Sequence, residues 1–194
     1  MQLYLIRHPE PRGSSGLCYG RLDVAVAPEA LATAASSIRN CIPRCVLEQA
    51  VVYTSPLSRC VALARELARP RPVITVDDLI EMDFGIWEGQ CWDAVPRVEL
   101  DVWAEDVWGC RPGGGESAQC VATRWQTWAE YVRRTHSGPV IAVTHAGFIR
   151  VALACTGQLG RAEFARFPIG FGSVRRVELS AAPAAWLDRS EAPA

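Results

Sequence analysis

Short apolar, β-branched runs recur along the chain, and helically periodic segments lie between them. Leu3–Ile6, Ala50–Thr54, Val73–Val76 and Val140–Thr144 are predicted strands, with a last one near Val174–Leu179. Leu57, Cys60, Val61, Ala64, Leu67 and Ala68 recur at i, i+3, i+4 and i+7 spacing and predict a helix. Ala118, Val121, Ala122, Trp125, Trp128, Ala129 and Val132 predict a second. A third is expected after Gly147, through Phe148–Cys155, stopping at Gly157. Alternating strands and helices imply a three-layer α/β/α sandwich with a mainly parallel central sheet. One domain over residues 1–180 is expected, with a loosely ordered alanine- and proline-rich tail over 181–194. In such sheets ligands bind beyond the carboxyl ends of the strands.

Composition narrows the chemistry. Among 194 residues there are 20 basic and 21 acidic side chains, and every basic one is arginine. Without lysine, a Schiff-base enzyme, a pyridoxal-phosphate enzyme and a Walker-type nucleotide loop are excluded. A net charge of −1, with no basic block or acidic tail, argues against nucleic-acid or membrane-surface binding. The apolar run at residues 2–6 is too short for a signal peptide, and no stretch reaches 18 consecutive apolar residues, so a cytoplasmic protein is expected. The eight cysteines show no C-x-x-C pair, and Cys41 and Cys45 have no partners that would complete a zinc site. They are expected to be reduced and structural, with no metal or cofactor.

Three predicted strands end in residues suited to anion chemistry: Arg7-His8-Pro9, Ser55-Pro56-Leu57-Ser58-Arg59 and His145-Ala146-Gly147. In a parallel arrangement all three tips share one edge, so two histidines and two arginines could converge. Ser55 is a suitable N-cap and Pro56 a suitable first-turn residue, which places Arg59 near the start of a helix. A cation there opposes the helix dipole unless an anion is bound or a carboxylate satisfies it. His136, the third histidine, lies in a polar connection and is expected to be solvated.

Five segments then resemble, in order, the motifs of the histidine phosphatase family, the phosphoglycerate-mutase-like superfamily. They are Arg7-His8, Ser55-Pro56-Leu57-x-Arg59, Glu81-Met82-Asp83-Phe84-Gly85-x-Trp87-Glu88-Gly89, Pro112-Gly113-Gly114-Gly115-Glu116-Ser117 and Thr144-His145-Ala146-Gly147-x-Ile149-Arg150. Arg-His alone is uninformative; the five together are specific and cover most of the chain. Cys18-Tyr19-Gly20-Arg21-x-Asp23 and the Glu81–Gly89 stretch look most like the α-ribazole phosphatase branch. The resemblance implies that His8 is a nucleophile forming a phosphohistidine, and that Arg7, Arg59 and His145 line the phosphate pocket. Glu81 matches the family's general acid. The substrate implied is a small phosphomonoester, α-ribazole 5′-phosphate by branch. The chemistry agrees: two arginines and a second histidine supply positive charge to the equatorial oxygens without a metal. A neutral attacking imidazole also needs its other nitrogen to donate to a backbone carbonyl or similar group.

The sequence departs from the family at Pro9, where glycine is usual and an amide donor is lost, and at Ala146. Arg21 is expected in the pocket, since an uncompensated arginine near Arg7 would be repelled. Tyr19, Gly20, Glu116 and Ser117 are further candidates for substrate binding; for Gly113–Gly115 a flexible turn, and for Glu116-Ser117 a helix start, are the alternatives. Trp87, Trp92, Trp103 and Trp108 could pack together or line a lid over a flat heteroaromatic substrate.

Cys91–Arg97 has the C-x5-R spacing of cysteine phosphatases but no glycine, and Pro96 removes a donor. No G-x-S-x-G elbow supports a serine hydrolase. A broad-specificity sugar-phosphate phosphatase, a phosphoglycerate mutase-like enzyme and an inactive phospho-ligand-binding module remain as alternatives. Oligomeric state is not encoded in any pattern found.

Overall fold

Side chains alternate sides along the central strands, and each side meets its own helices. The computed structural model describes residues 1–179. Its sheet contains β1 (Gln2–Arg7), β2 (Val51–Thr54), β3 (Ile74–Thr75), β4 (Val140–Thr144) and β5 (Val174–Glu178), in the order β3-β2-β4-β1-β5. The pairs β1–β4, β2–β4 and β2–β3 are parallel, and β5 lies antiparallel on β1. Leu3, Leu5, Tyr53, Val140 and Ala142 bury against α5 (Ala118–Thr135) and α6 (Ala146–Cys155). Tyr4, Ile6, Val52, Ile141 and Val143 bury on the other side, against α1 (Pro28–Cys41) and α3 (Ser58–Ala68). The expected three-layer sandwich with a mainly parallel sheet is therefore present.

Strand β4 occupies its expected residues, whereas β3 is only two residues of the Val73–Val76 run. Two helices that no strong periodicity predicts lie in the stretch before β2: α1, opened by Pro28, and α2 (Arg44–Gln49). A further helix, α4 (Arg97–Glu105), follows a chain of short 3₁₀ turns. The tail over 181–194 lies outside the described residues. No helix among the described residues is long and apolar enough to cross a membrane.

Three local expectations are corrected. The helix after β2 starts at Ser58, not at Ser55-Pro56, and its first turn is capped from a distance. Asp23 Oδ1 accepts from the Ser58 amide at 2.9 Å and from its hydroxyl at 2.8 Å. His136 is not a solvated loop residue: its Nε2 lies 2.7 Å from the Tyr53 hydroxyl, which gives that buried phenol a partner. The Gly113–Gly115 run is a close backbone contact rather than a merely flexible turn. A Cβ on Gly113 would lie 2.2 Å from the Phe84 carbonyl oxygen, and one on Gly115 would lie 2.1 Å from that of Asp83.

Trp87, Trp92 and Trp103 pack with Phe84 around buried Cys18 and Val95, and Trp92 and Trp103 stack at 6.2 Å. Trp108 lies elsewhere, 5.2 Å from Phe164 on the α5/α6 side. The four tryptophans thus pack in two separate places, Trp87 buried and the other three half-buried. Cys91 and Arg97 are both exposed, and Arg97 pairs with Asp101, so no phosphate loop forms there.

Candidate active site

The register fixes what converges. Arg7 stands opposite Thr144 and Thr54 opposite Val143, so the residues that follow β1, β2 and β4 all leave the same sheet edge. His8 and His145 meet there with ring centroids 5.1 Å apart. Both are buried, as is Arg59, and Arg7 lies alongside.

His8 Nδ1 lies 2.7 Å from the Pro9 carbonyl oxygen. A carbonyl only accepts, so Nδ1 carries the hydrogen and Nε2 keeps its lone pair. The orienting partner expected of an attacking imidazole is thus Pro9, the residue that departs from the family pattern. Its amide donor is lost, but its carbonyl sets the tautomer. Burial pushes the His8 pKa down to about 3, and the Arg59 and Arg7 charges add to the fall against the Pro9 hydrogen bond. Burial, with His8 and the arginines, also holds His145 well below the usual imidazole range. Both rings are therefore neutral near pH 7. His145 Nε2 lies 2.8 Å from Ser55 Oγ and 3.4 Å from Cys60 Sγ.

The two arginines are held through some of their donors and keep others. Arg59 donates to the Gly20 carbonyl at 2.6 Å and the Leu22 carbonyl at 2.7 Å, with Asp23 4.0 Å away. Arg7 donates to the Ile169 carbonyl at 2.5 Å. In each, Nε is buried with no hydrogen-bond partner. Two guanidiniums thus stand beside two neutral histidines, an arrangement whose charge and donors suit an oxyanion.

Glu81 closes the site from the α6 side. Its carboxylate accepts from the amides of Gly147 at 3.0 Å, Phe148 at 3.1 Å and Met82 at 2.9 Å, so it caps the helix that follows His145. The segment bearing it is clamped by Arg124 of α5, which donates to the carbonyls of Asp78, Ile80 and Glu81. Arg124 also forks onto Glu116, whose carboxyl it draws below its usual range against the opposing effect of burial.

The outer candidates have definite positions. Tyr19 presents its ring 6.4 Å from that of His8 and carries the Arg59 guanidinium 5.1 Å above its centre. Gly20 passes so close to Met82 and Phe84 that a Cβ there would lie 2.3 Å from the Met82 carbonyl oxygen. Arg21 is compensated, contrary to the repulsion argued from sequence: Glu116 lies at 3.0 Å and Asp83 at 3.6 Å. Ser117 caps α5, its hydroxyl accepting from the Cys120 amide at 3.4 Å.

Sequence reasoning gave no role to Ser55 beyond a helix cap, and none to Phe171, Asp23 or Arg124. The Asp23 cap and the Arg124 clamp bridge 35 and 43–46 residues, so no local pattern reveals them. Among the described residues, no group of three or more His, Cys, Asp or Glu side chains could hold a metal ion.

A family model described as the histidine phosphatase superfamily (branch 1) matches residues 3–188. The chain is 34% identical over 101 residues to phosphoserine phosphatase 1 of Hydrogenobacter thermophilus, covering 49% of this chain and 48% of that protein. It spans about half or less of the length of the curated relatives it matches. Among solved structures, a mycobacterial glucosyl-3-phosphoglycerate phosphatase superposes with a TM-score of 0.77 at 24% identity, over 91% of this chain and 92% of that one. The α-ribazole phosphatase of Shigella flexneri superposes with a TM-score of 0.74 at 23% identity, over 92% and 90%. These two likenesses establish the shared fold.

Proposed function

This chain belongs to the histidine phosphatase superfamily, branch 1, and from that premise we propose that it is a metal-independent phosphoric monoester hydrolase working through a phosphohistidine. The observation that carries this reading is the neutral, oriented His8 with the Arg7 and Arg59 guanidiniums beside it. Arg7 and Arg59 draw in the phosphoryl oxygens, with His145 beside them. His8 Nε2 attacks phosphorus as the bond to the leaving oxygen breaks, and Glu81 gives that oxygen its proton. Glu81 then takes a proton from water, whose oxygen attacks phosphorus; the His8–phosphorus bond breaks and inorganic phosphate leaves. The Nδ1 hydrogen bond to Pro9 stabilises the imidazolium character that develops while the phosphoryl group is carried.

Tyr19, Gly20, Arg21, Glu116 and Ser117 bind or shape the leaving-group side in this reading, Glu116 by holding Arg21 and Ser117 by starting α5. The substrate is a small phosphomonoester. The Cys18–Asp23 segment favours α-ribazole 5′-phosphate, whereas the Hydrogenobacter relative's name favours phosphoserine. Comparing kcat/KM for these two with 3-phosphoglycerate and sugar phosphates ranks them.

The test is hydrolysis of phenyl phosphate in EDTA, with rapid acid-free quenching to trap a phosphoenzyme. Turnover with an acid-labile, base-stable phosphoenzyme, both lost in His8→Ala, is expected. A wild-type protein that binds phosphate but turns over no phosphomonoester is a phospho-ligand-binding module instead.

A further inference from the structure

Phe171 is an exposed aromatic ring placed against the nucleophile, and nothing in the catalytic chemistry above uses it. The ring is 39% exposed. Its centre lies 5.7 Å from that of His8, and the Arg7 guanidinium carbon lies 3.7 Å above it. The loop that carries it is stapled to the catalytic strand. The Arg7 amide donates to the Ser173 carbonyl at 3.0 Å, and the Gly172 amide lies 3.2 Å from the Arg7 carbonyl oxygen and 3.3 Å from that of His8. Gly172 takes a left-handed turn with φ of 67°, which places the ring between two glycines on a tightly held bend. A large apolar surface kept exposed on such a bend, beside a charged site, has water on one side and the reaction centre on the other.

Tyr19 stands near the same imidazole at 6.4 Å, again with a guanidinium, that of Arg59, over its face. Each phosphate-binding arginine therefore has a ring on its face. A ring so placed shields the cation without consuming an N–H donor, so the guanidinium edges stay open to oxyanions. Both rings thus stand close to the imidazole that would carry the phosphoryl group. Trp87, Trp92 and Trp103 pack on one another and on Phe84, and Trp108 packs on Phe164.

Resting on the phosphatase reading, we infer that Phe171 is a specificity-determining residue whose exposed face forms an apolar wall for the leaving group. It favours phosphomonoesters with an aromatic or extended apolar face over small, strongly hydrated ones. The ring contributes through contact with the leaving group, and its hold on Arg7 is a separate effect shared by every phosphate ligand.

Calorimetric titration with two non-hydrolysable probes separates the two effects. Phenylphosphonate and methylphosphonate share the anionic head and differ in the group that would meet Phe171. Wild type is expected to bind phenylphosphonate about tenfold more tightly than methylphosphonate, an advantage of the size aromatic contacts give. Phe171→Ala is expected to bring that ratio near one, and Phe171→Tyr to keep it; Phe171→Leu, which retains apolar bulk, guards against a loop that fails to form. A ratio near one in wild type, or one that survives in Phe171→Ala, overturns the inference, as does equal weakening of both probes in Phe171→Ala with the ratio intact. Failure of the phosphatase reading shows separately, as intact phosphonate binding without hydrolysis of phenyl phosphate.

Discussion

The carboxylate of Glu81 accepts from the Gly147 amide at 3.0 Å, and a Cβ on Gly147 would stand 2.5 Å from Glu81 Oε1. That approach is what glycine permits here, one residue beyond Ala146, where the sequence departs from the family pattern. Gly147→Ala therefore pushes the carboxyl away while leaving the helix intact. Helix propensity favours alanine by about 1 kcal/mol, and loss of the Glu81 cap on the Gly147 and Phe148 amides costs about as much, so the melting temperature should change little. Under the proposed function Glu81 is the general acid, and displacing it should cost about 100-fold in kcat on an alkyl phosphate. Steady-state kinetics beside thermal denaturation checks this; full activity in the variant would separate Glu81 from proton transfer.

Under the same proposed function, Arg124 positions the Glu81 segment. Its guanidinium ties Asp78, Ile80 and Glu81 to α5 through their carbonyls, and touches neither histidine. In Arg124→Gln the loss should depend on the leaving group. Glycerol phosphate, whose alkoxide needs a proton, should lose about tenfold or more in kcat. p-Nitrophenyl phosphate, whose phenolate leaves unaided, should lose little. Equal losses on both would mean that Arg124 supports the fold and not the acid.

Phosphate binding should fail most where a guanidinium beside the two histidines is replaced. Arg59→Lys keeps the charge but not the planar fork that spans Gly20 and Leu22. Inorganic phosphate inhibition should weaken by about tenfold or more, since hydrogen bonds to charged groups contribute about 1.5–3 kcal/mol. Arg21→Lys, at a residue whose charge is already paired with Glu116 and Asp83, should change phosphate inhibition less than threefold, a small shift by the same scale. Competitive inhibition against phenyl phosphate reads both; equal effects would place Arg21 on the phosphate.

What the sequence reveals follows the range of the interaction. Strand β4 and helix α5 are evident because five consecutive buried residues and an 18-residue amphipathic repeat are local signals. Helix α1 escapes notice because its inner face is built on Leu31, Ala34, Ala35 and Ile38, and alanines contrast weakly with a polar background. At the site, Arg7, His8, Arg59 and His145 are found because strand tips of a parallel sheet must share an edge. The compensation of Arg21 is not visible, because Asp83 and Glu116 reach it from distant segments brought together by glycine contacts. Pro9 is a similar case: the missing amide is evident from sequence, whereas the role of its carbonyl depends on the fold.

The tryptophan cluster should behave as interior packing. Trp103 stacks on Trp92 and lies edge-on to Phe84 and Trp87. Trp103→Ala removes this contact from a partly buried position, for which a loss of about 2–3 kcal/mol is expected, below the range for full burial. KM for phenyl phosphate should stay within about twofold at temperatures where the variant is folded, because uniform binding is unaffected. Chemical denaturation and kinetics on the same preparation decide; a large rise in KM with unchanged stability would restore the lid.

Acid should destabilise the empty site through its histidines. The His8 pKa falls from 6.5 to about 3 on folding, and that of His145 falls in the same direction. Between those values the unfolded chain binds more protons than the folded one, so stability rises with pH across this window and is lost as pH falls below 6.5. Urea midpoints should therefore drop between pH 7 and pH 5, and the drop should shrink in His8→Asn, which has no proton to take up. Inorganic phosphate opposes the effect, because an anion held by Arg7 and Arg59 favours the imidazolium form of its neighbours. The imidazole signals of His8, followed by NMR, should show no titration near 6.5 in the free protein and should move toward it when phosphate is added. A titration near 6.5 without phosphate would mean that His8 is solvated, and that the arginines do not enclose it.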